Sequence, residues 1–303
     1  MTRSARWRDV LLTALAPAIW GSTYLVTSHG LPPGLPLTAA VLRVLPAGLL
    51  LLAWTRSLPR AADRWRLLVL AVLNIGVFQA LLFVAAYRLP GGLAAVLGAI
   101  QPLLVLLLAW VVDHRRPAAA AVIASASGVA GMAILLVSPQ TVWEPVGIAA
   151  ALVGAACMAA GTWLAHRWRL DMPVLASTGW QLLLGGALLL PAVWLSGERL
   201  PVLTLSQLGA YAYLSLAGAL LAYALWFRGV ARLPPVAVAS LGLLSPLTAV
   251  LLGWSVLGQA MTGTALAGLA LVLGSVLAVQ WLARPRSSRP QGDAGLGSHR
   301  IAG

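Results

Sequence analysis

Ten stretches of almost uninterrupted apolar residues run along the chain, separated by short segments rich in Pro, Gly and Arg. A helix needs about 20 mostly apolar residues to cross about 30 Å of hydrocarbon, and each stretch is close to that length. The pattern therefore predicts an all-α membrane protein with ten transmembrane helices. The predicted spans are 10–28, 37–54, 67–86, 92–112, 118–137, 146–164, 174–195, 207–226, 235–256 and 263–282.

The composition agrees with a chain that lives in lipid, since 60% of its residues are apolar and only 9% are charged, against about 25% in soluble proteins. The positions of the charged residues relative to the predicted spans explain the net charge of +13. With the amino terminus in the cytoplasm, seventeen of the twenty arginines fall on the cytoplasmic side, and only Arg43 lies within a span. This positive-inside bias predicts a cell-membrane protein with both termini cytoplasmic. Scattered over short loops, the arginines form no folded basic surface, so no nucleic-acid partner is predicted.

An internal repeat relates the two halves of the chain. Residues 88–110 recur as 232–254, with eleven of 23 positions identical, including shared Arg, Pro, Gly and Trp. A similar offset of 138 residues aligns Arg43 with Gln181. The repeat predicts two copies of five helices each.

Because five is odd, the second copy enters the membrane with the opposite orientation. The predicted domains are a first five-helix repeat at 1–137, an inverted second repeat at 138–282, and a disordered cytoplasmic tail at 283–303. Inverted repeats around a midplane site are typical of secondary transporters that work by alternating access.

The motifs resemble those of the drug/metabolite transporter superfamily, specifically its ten-helix proteins with two EamA domains. The matching stretches are Trp20-Gly21-Ser22, Leu42-Arg43, Gln101-Pro102-Leu103, Ser245-Pro246 and Gly253-Trp254. The resemblance implies a cavity lined mainly by helices 1 to 4 and 6 to 9, with helices 5 and 10 as packing supports. It also implies export of small metabolites such as amino acids. The chain departs from the family in carrying Ser245 and Gln259 at positions where the family often has Glu.

Arg43 is the one charged residue inside a predicted span, and an intramembrane arginine usually marks a substrate or ion pathway or a charged partner. One interpretation is a counter-charge for an anionic group of the substrate. The alternative is a structural arginine that snorkels outward or caps backbone carbonyls near Pro46.

The other cavity candidates are polar or aromatic residues within spans, where an unsatisfied polar group is costly. They are Trp20, Asn74, Gln79, Gln101, Trp163, Trp180, Gln181, Tyr223 and Ser245. Pro102 and Pro246 occupy equivalent mid-span positions and are predicted hinges, because proline removes an intrahelical hydrogen bond. Gln79 aligns with Tyr223, which predicts that the two face the cavity from opposite sides.

No Asp or Glu lies inside a predicted span, the four histidines fall in loops or the tail, and Cys157 is the single cysteine. We therefore predict no enzyme activity, no metal site and no cofactor. Small residues at four-residue spacing, such as Ser127 with Gly131 and Ala270 with Gly274, predict close packing of helices 5 and 10 or the interface of a homodimer. The leading hypothesis is an exporter of small metabolites in the lipid bilayer. A non-transporting membrane sensor or assembly protein on the same fold is the alternative.

Overall fold

The computed structural model describes residues 3–89, 96–136, 144–258 and 263–283, and within these ranges the protein contains helices and no strand. We number the helices α1 to α10 by predicted span, so one label covers all pieces of a span. The helices are α1 Arg3–Gly30, α2 Pro36–Thr55, α3 Arg64–Ala71 with Val72–Gly76 and Val77–Arg88, α4 Val96–Val111, α5 Ala119–Leu136, α6 Pro145–Trp168, α7 Val174–Ser196, α8 Leu205–Ser215 with Leu216–Leu221 and Ala222–Arg232, α9 Pro235–Leu241 with Leu244–Leu257, and α10 Gly263–Leu282.

Nine of the helices in the described ranges are long and apolar enough to cross a membrane, and α4 is a shorter apolar helix. The first residues of the predicted fourth span, 92–95, lie outside the described ranges, as do residues 284–303 of the predicted tail. Large apolar side chains stand on the outer surface, among them Trp54, Ile123 and Leu277. Exposed apolar side chains on helices of spanning length are suited to contact with lipid, and the protein is a multi-pass membrane protein.

Two spans contain a short π-helical turn. The first occupies Val72–Gly76 in α3 and the second Leu216–Leu221 in α8, so their starts are 144 residues apart. Such turns widen the backbone by one residue and are frequent at functional sites. Both lie in the middle of their spans, where they bring backbone and side-chain polar groups to the centre of the bundle.

The helix breaks in α4 and α9 also correspond. Ala99 donates to the carbonyl of Val96 at 3.1 Å and Leu243 to that of Ser240 at 3.2 Å, again 144 residues apart. Pro102 then lies in the first turn of Gln101–Val111, a position where its missing N–H removes no helical bond. The predicted mid-helix prolines therefore begin new helical segments rather than bending continuous ones.

Four predicted boundaries are corrected by the structure. Helix α1 begins at Arg3 rather than at residue 10, and α3 with its preceding turn includes Asp63, so both Asp9 and Asp63 lie within candidate spans near their ends. Helix α8 continues to Arg232, and His166 lies in α6 rather than in a loop. Hydropathy alone underestimates the length of these helices, because their terminal polar side chains have partners inside the protein.

Helices α5 and α10 pack closely, as the small residues predicted, but through different residues of α10. A methyl group on Gly268 would lie 2.7 Å from the carbonyl oxygen of Gly131, so only a hydrogen fits between the backbones. The Ser275 hydroxyl donates to the carbonyl of Ala124 across the same interface at 2.6 Å. Gly274, predicted to take part, faces away and has nothing within 4 Å of its Cβ position.

Candidate functional site

The carbonyl of Gly218, in the π-helical turn of α8, receives two side chains at the centre of the bundle. The indole N–H of Trp20 on α1 donates to it at 2.9 Å, and the Arg43 guanidinium on α2 donates at 3.1 Å. Arg43 is only 6% exposed, so its side chain points into the bundle and does not snorkel to the surface. The carbonyl that accepts from it belongs to α8. A fixed positive charge therefore lies at the junction of α1, α2 and α8.

Aromatic rings continue the site from Trp20 along α8. The Trp20 ring centroid lies 5.0 Å from that of Tyr223 and 5.2 Å from that of Trp226, and Tyr223 stacks on Phe227 at 5.8 Å. The Tyr223 hydroxyl accepts a hydrogen bond from the Gln79 amide on α3 at 2.9 Å. Gln79 and Tyr223, aligned with each other by the sequence repeat, are thus in direct contact.

A second polar pair links α3 to α7. The Asn74 amide, in the π-helical turn of α3, donates to the Gln181 side-chain oxygen at 2.9 Å, and both residues are buried. Gly161 of α6 lies against the same asparagine, because a Cβ there would overlap the Asn74 side-chain oxygen. The absence of a side chain at position 161 lets α6 approach Asn74.

The breaks of α4 and α9 border this region. The Cβ position of Gly242, at the break in α9, lies 3.7 Å from the side-chain oxygen of Gln101 and 3.8 Å from the Trp226 ring. The backbone carbonyl of Ser245 faces Gly21 of α1, 2.5 Å from its Cβ position. Gln101 and the backbone around Ser245 therefore border the aromatic cluster.

Several amide and indole atoms in this region are buried without a hydrogen-bond partner among the described residues. Among them are Asn74 Oδ1, Gln79 Oε1, Gln101 Nε2 and Trp226 Nε1. Buried polar atoms are nearly always bonded to protein or water, so these two acceptors and two donors are suited to a polar solute or to water. Trp226 was missed by the sequence analysis because it falls at the last position of the predicted span 207–226.

The chain matches the model of the EamA-like transporter family twice, over residues 7–137 and 145–281. This chain belongs to the EamA-like transporter family.

Named relatives are similar to this EamA chain over most of its length, and one solved structure shares its fold. Protein PecM of Dickeya dadantii (strain 3937) is 41% identical over 267 residues, covering 88% of this chain and 90% of PecM. The uncharacterized inner membrane transporter YedA of Escherichia coli (strain K12) is 29% identical over 267 residues, covering 86% of this chain and 87% of YedA. The uncharacterized transporter YwfM of Bacillus subtilis (strain 168) is 28% identical over 285 residues, 92% of this chain and 95% of YwfM. A chain of known crystal structure superposes with a TM-score of 0.78 at 21% identity, covering 95% of this chain and all of that one.

Two candidates of this EamA protein lie apart from the central cluster. The Trp163 indole N–H donates to Asp113 at 2.9 Å, and Arg167 pairs with the same carboxylate while lying over the Trp163 ring at 5.3 Å. Trp180 donates to the backbone carbonyl of Ser57 at 2.9 Å. Both tryptophans therefore contact loops at one end of the bundle. Their apolar sequence surroundings gave no sign of these partners.

The central cluster offers hydrogen-bond donors, acceptors, aromatic faces and one cation, which together suit the binding of a solute. Among the described residues at this depth, the cluster contains amides, aromatics and Arg43, with no carboxylate beside them. YedA and YwfM are named as transporters, and this protein is a transporter of the EamA family.

Proposed function

We propose that the protein exports small metabolites (amino acids, related compounds or drugs) by alternating access of two inverted five-helix halves, residues 1–137 and 138–282. The central cluster is the proposed substrate site. Trp20, Arg43, Gln79 and Tyr223 are its proposed contacts.

Reciprocal contacts between α2 and α7 support the inverted arrangement. At the repeat offset of 138, Leu45 corresponds to Leu183 and Gly48 to Gly186. A methyl group on Gly48 would lie 2.6 Å from the Leu183 nitrogen, and one on Gly186 would lie 3.3 Å from the Leu45 Cβ. When a residue of one half contacts the counterpart of a second residue, and that second residue contacts the counterpart of the first, the two halves are related by a two-fold axis.

The same reciprocity holds between α5 and α10 at the offset of 144, where Gly128 corresponds to Val272 and Gly131 to Ser275. A Cβ on Gly128 would lie 2.6 Å from the Ser275 hydroxyl, and one on Gly131 would lie 2.9 Å from the Val272 nitrogen. Two interfaces with the same exchange are the observation that carries the proposal, because a two-fold scaffold can adopt two mirror-related states around one site.

The polar contacts at the centre fit the same axis. Gln79 and Tyr223 correspond in the repeat and bond to each other, as residues on a two-fold axis do. The Arg43 to Gly218 bond joins α2 to α8, and its counterpart, Gln181 with Asn74, joins α7 to α3. The site therefore lies at the axis, where both halves reach it.

The test is transport by the purified protein in proteoliposomes preloaded with a panel of amino acids, amino acid analogues and drugs. The test in vivo is overexpression in cells exposed to toxic compounds of the panel, where export is expected to give resistance. Arg43→Gln is expected to lower the apparent affinity for an anionic substrate at least tenfold, while Arg56→Gln, at an exposed helix end, leaves it unchanged. If no compound moves in either assay, the protein is the non-transporting sensor or assembly factor instead.

The proposed orientation places both termini in the cytoplasm of the cell membrane. Single cysteines replacing Arg60 and Arg116, in a background where Cys157 is alanine, are expected to resist membrane-impermeant reagents added to whole cells. Labelling of either from outside would contradict the orientation and leave the transport proposal standing.

A further inference from the structure

A buried ion pair ties α1 to the last turns of α8. The Asp9 carboxylate is 1% exposed, and its Oδ1 lies 2.6 Å from an Arg228 guanidinium nitrogen and 3.6 Å from one of Arg232. The two arginines are four residues apart, so they lie one above the other on the same face of the helix. One carboxylate is thus held between two cations, with little contact with solvent.

The helices behind this ion pair are in close contact. Thr13, one turn deeper on α1, packs against Gly229, where a Cβ would overlap the threonine side chain. On the other side of α8, a ring nitrogen of His166 in α6 lies 3.0 Å from the carbonyl oxygen of Val230. Since this carbonyl can only accept, His166 donates. The end of α8 is therefore held by α1 and by α6, the first helices of the two proposed halves.

The ion pair of the counterpart arginine, at the other end of the bundle, has a more exposed carboxylate. Arg88, the repeat counterpart of Arg232, lies 3.3 Å from Glu144 at the start of α6. The two arginines are similarly exposed, 52% for Arg88 and 48% for Arg232, whereas the Glu144 side chain is 29% exposed and that of Asp9 only 1%. Asp9 is also contacted by a second arginine, Arg228, which is 24% exposed. The carboxylate between α1 and α8 is thus the one shielded from solvent in this conformation.

We propose that Asp9, Arg228 and Arg232 form the gate that closes the transport pathway at the Asp9 end, which is the proposed cytoplasmic end. The inference rests on the proposed transport function. In the closed state the buried carboxylate is neutralised by its two partly exposed cations, and separating the helices hydrates it. Neutralising Arg228 leaves the buried Asp9 carboxylate with Arg232 alone at 3.6 Å, and neutralising Asp9 leaves two neighbouring arginines without their shared counter-charge. Either change favours the open state. These are positioning residues, since none contacts the proposed substrate site.

The experiment measures access to Thr13 and needs no substrate. In the Cys157→Ala background, Thr13→Cys introduces a thiol one turn behind the gate, and a membrane-impermeant maleimide is applied from the Asp9 end. Asp9→Asn or Arg228→Gln is expected to raise the labelling rate at least tenfold. The charge exchange Asp9→Arg with Arg228→Asp is expected to return it to within about threefold of the parent.

Asp171→Asn is the matched control, because it breaks the exposed Arg60–Asp171 pair, whose side chains are 70% and 67% exposed. It is expected to leave Thr13→Cys labelling unchanged. An unchanged labelling rate in folded Asp9→Asn and Arg228→Gln proteins, or a charge exchange that restores nothing, overturns the gate. Absence of transport by the parent protein, together with the expected labelling pattern, would count against the proposed function but not against the proposed gate.

Discussion

Removing the Tyr223 hydroxyl while retaining the ring breaks the hydrogen bond from Gln79 and leaves that amide buried without its acceptor. A buried polar group that loses its partner costs about 1–3 kcal/mol. Both residues are about 1% exposed, so water cannot easily replace the hydroxyl. We expect Tyr223→Phe to destabilise the protein by about 2 kcal/mol, which lowers the apparent Tm by about 4–8 °C at roughly 2–4 °C per kcal/mol.

Adding a substitution of Gln79 to Tyr223→Phe is expected to raise the stability again. Gln79→Leu removes the orphaned amide N–H and also the Gln79 Oε1, which has no hydrogen-bond partner among the described residues. Exchanging both members of a buried pair for apolar groups of similar shape can be nearly neutral. The double variant Gln79→Leu with Tyr223→Phe is therefore expected to be more stable than Tyr223→Phe alone, and close to the parent protein.

The assay is thermal unfolding in detergent, followed by transport in proteoliposomes. Tyr213→Phe is the control, since the same substitution in α8 removes a more exposed hydroxyl, 2.6 Å from Ser22, and is expected to change stability by less than about 0.5 kcal/mol. Under the proposed function, the double variant folds as well as the parent protein but transports poorly. A double variant less stable than Tyr223→Phe would refute the reasoning about the buried amide.

Two further substitutions test the packing of the scaffold. Gly268→Ala places a methyl group 2.7 Å from backbone atoms of α5 that cannot rotate away, so we expect a loss of about 1–3 kcal/mol in unfolding free energy, whereas Gly274→Ala on the same helix meets nothing and is expected to gain about 0.5–1 kcal/mol. Equal Tm values for the two would contradict the close contact. Glu198 accepts hydrogen bonds from the backbone N–H groups of Leu37 and Thr38 at 3.1 and 2.7 Å and so caps the start of α2. Glu198→Ala is expected to lower the unfolding free energy by about 1 kcal/mol, and Glu198→Gln to lower it less. Identical unfolding of the parent and both variants would argue against this cap.

The sequence predicted the number and order of the apolar segments well, because each span must be long and apolar to cross lipid. Several residues chosen as cavity candidates have partners at the centre that the sequence did not specify. Asn74 and Gln181, chosen as isolated polar residues in apolar surroundings, bond to each other, and Gln79, expected to face Tyr223 across a cavity, bonds to it directly. A polar group in a span needs a partner, so such residues are informative even without a structure.

Other parts of the centre could not be predicted in this way. Trp163 and Trp180 lie within predicted spans, as Trp20 does, yet their indole groups bond to Asp113 and to the carbonyl of Ser57. Which face of a helix turns inward depends on packing between spans, and that is not encoded in local hydropathy. The ends of α1 and α8 were set too short for a related reason. Charged residues end an apolar window, although Asp9 and Arg228 neutralise each other within the protein.

The proposed repeat makes the scaffold symmetric and leaves the chemistry of its centre asymmetric. Arg43 corresponds to Gln181 and Gln79 to Tyr223, while Trp20 corresponds to an alanine at position 160. In the proposed alternating-access cycle, α2 takes the geometry of α7 when the two halves exchange conformations, but the cation stays on α2. The proposed inward-open and outward-open states then offer a solute different groups in different places, and bind it with different affinity. Because the free-energy changes around a closed cycle at equal solute concentrations sum to zero, this difference in affinity equals the difference between the conformational free energies of the empty and the loaded protein. A buried ion pair that stabilises one empty state, such as Asp9 with Arg228, contributes to the conformational free energy of the empty protein without contacting the solute.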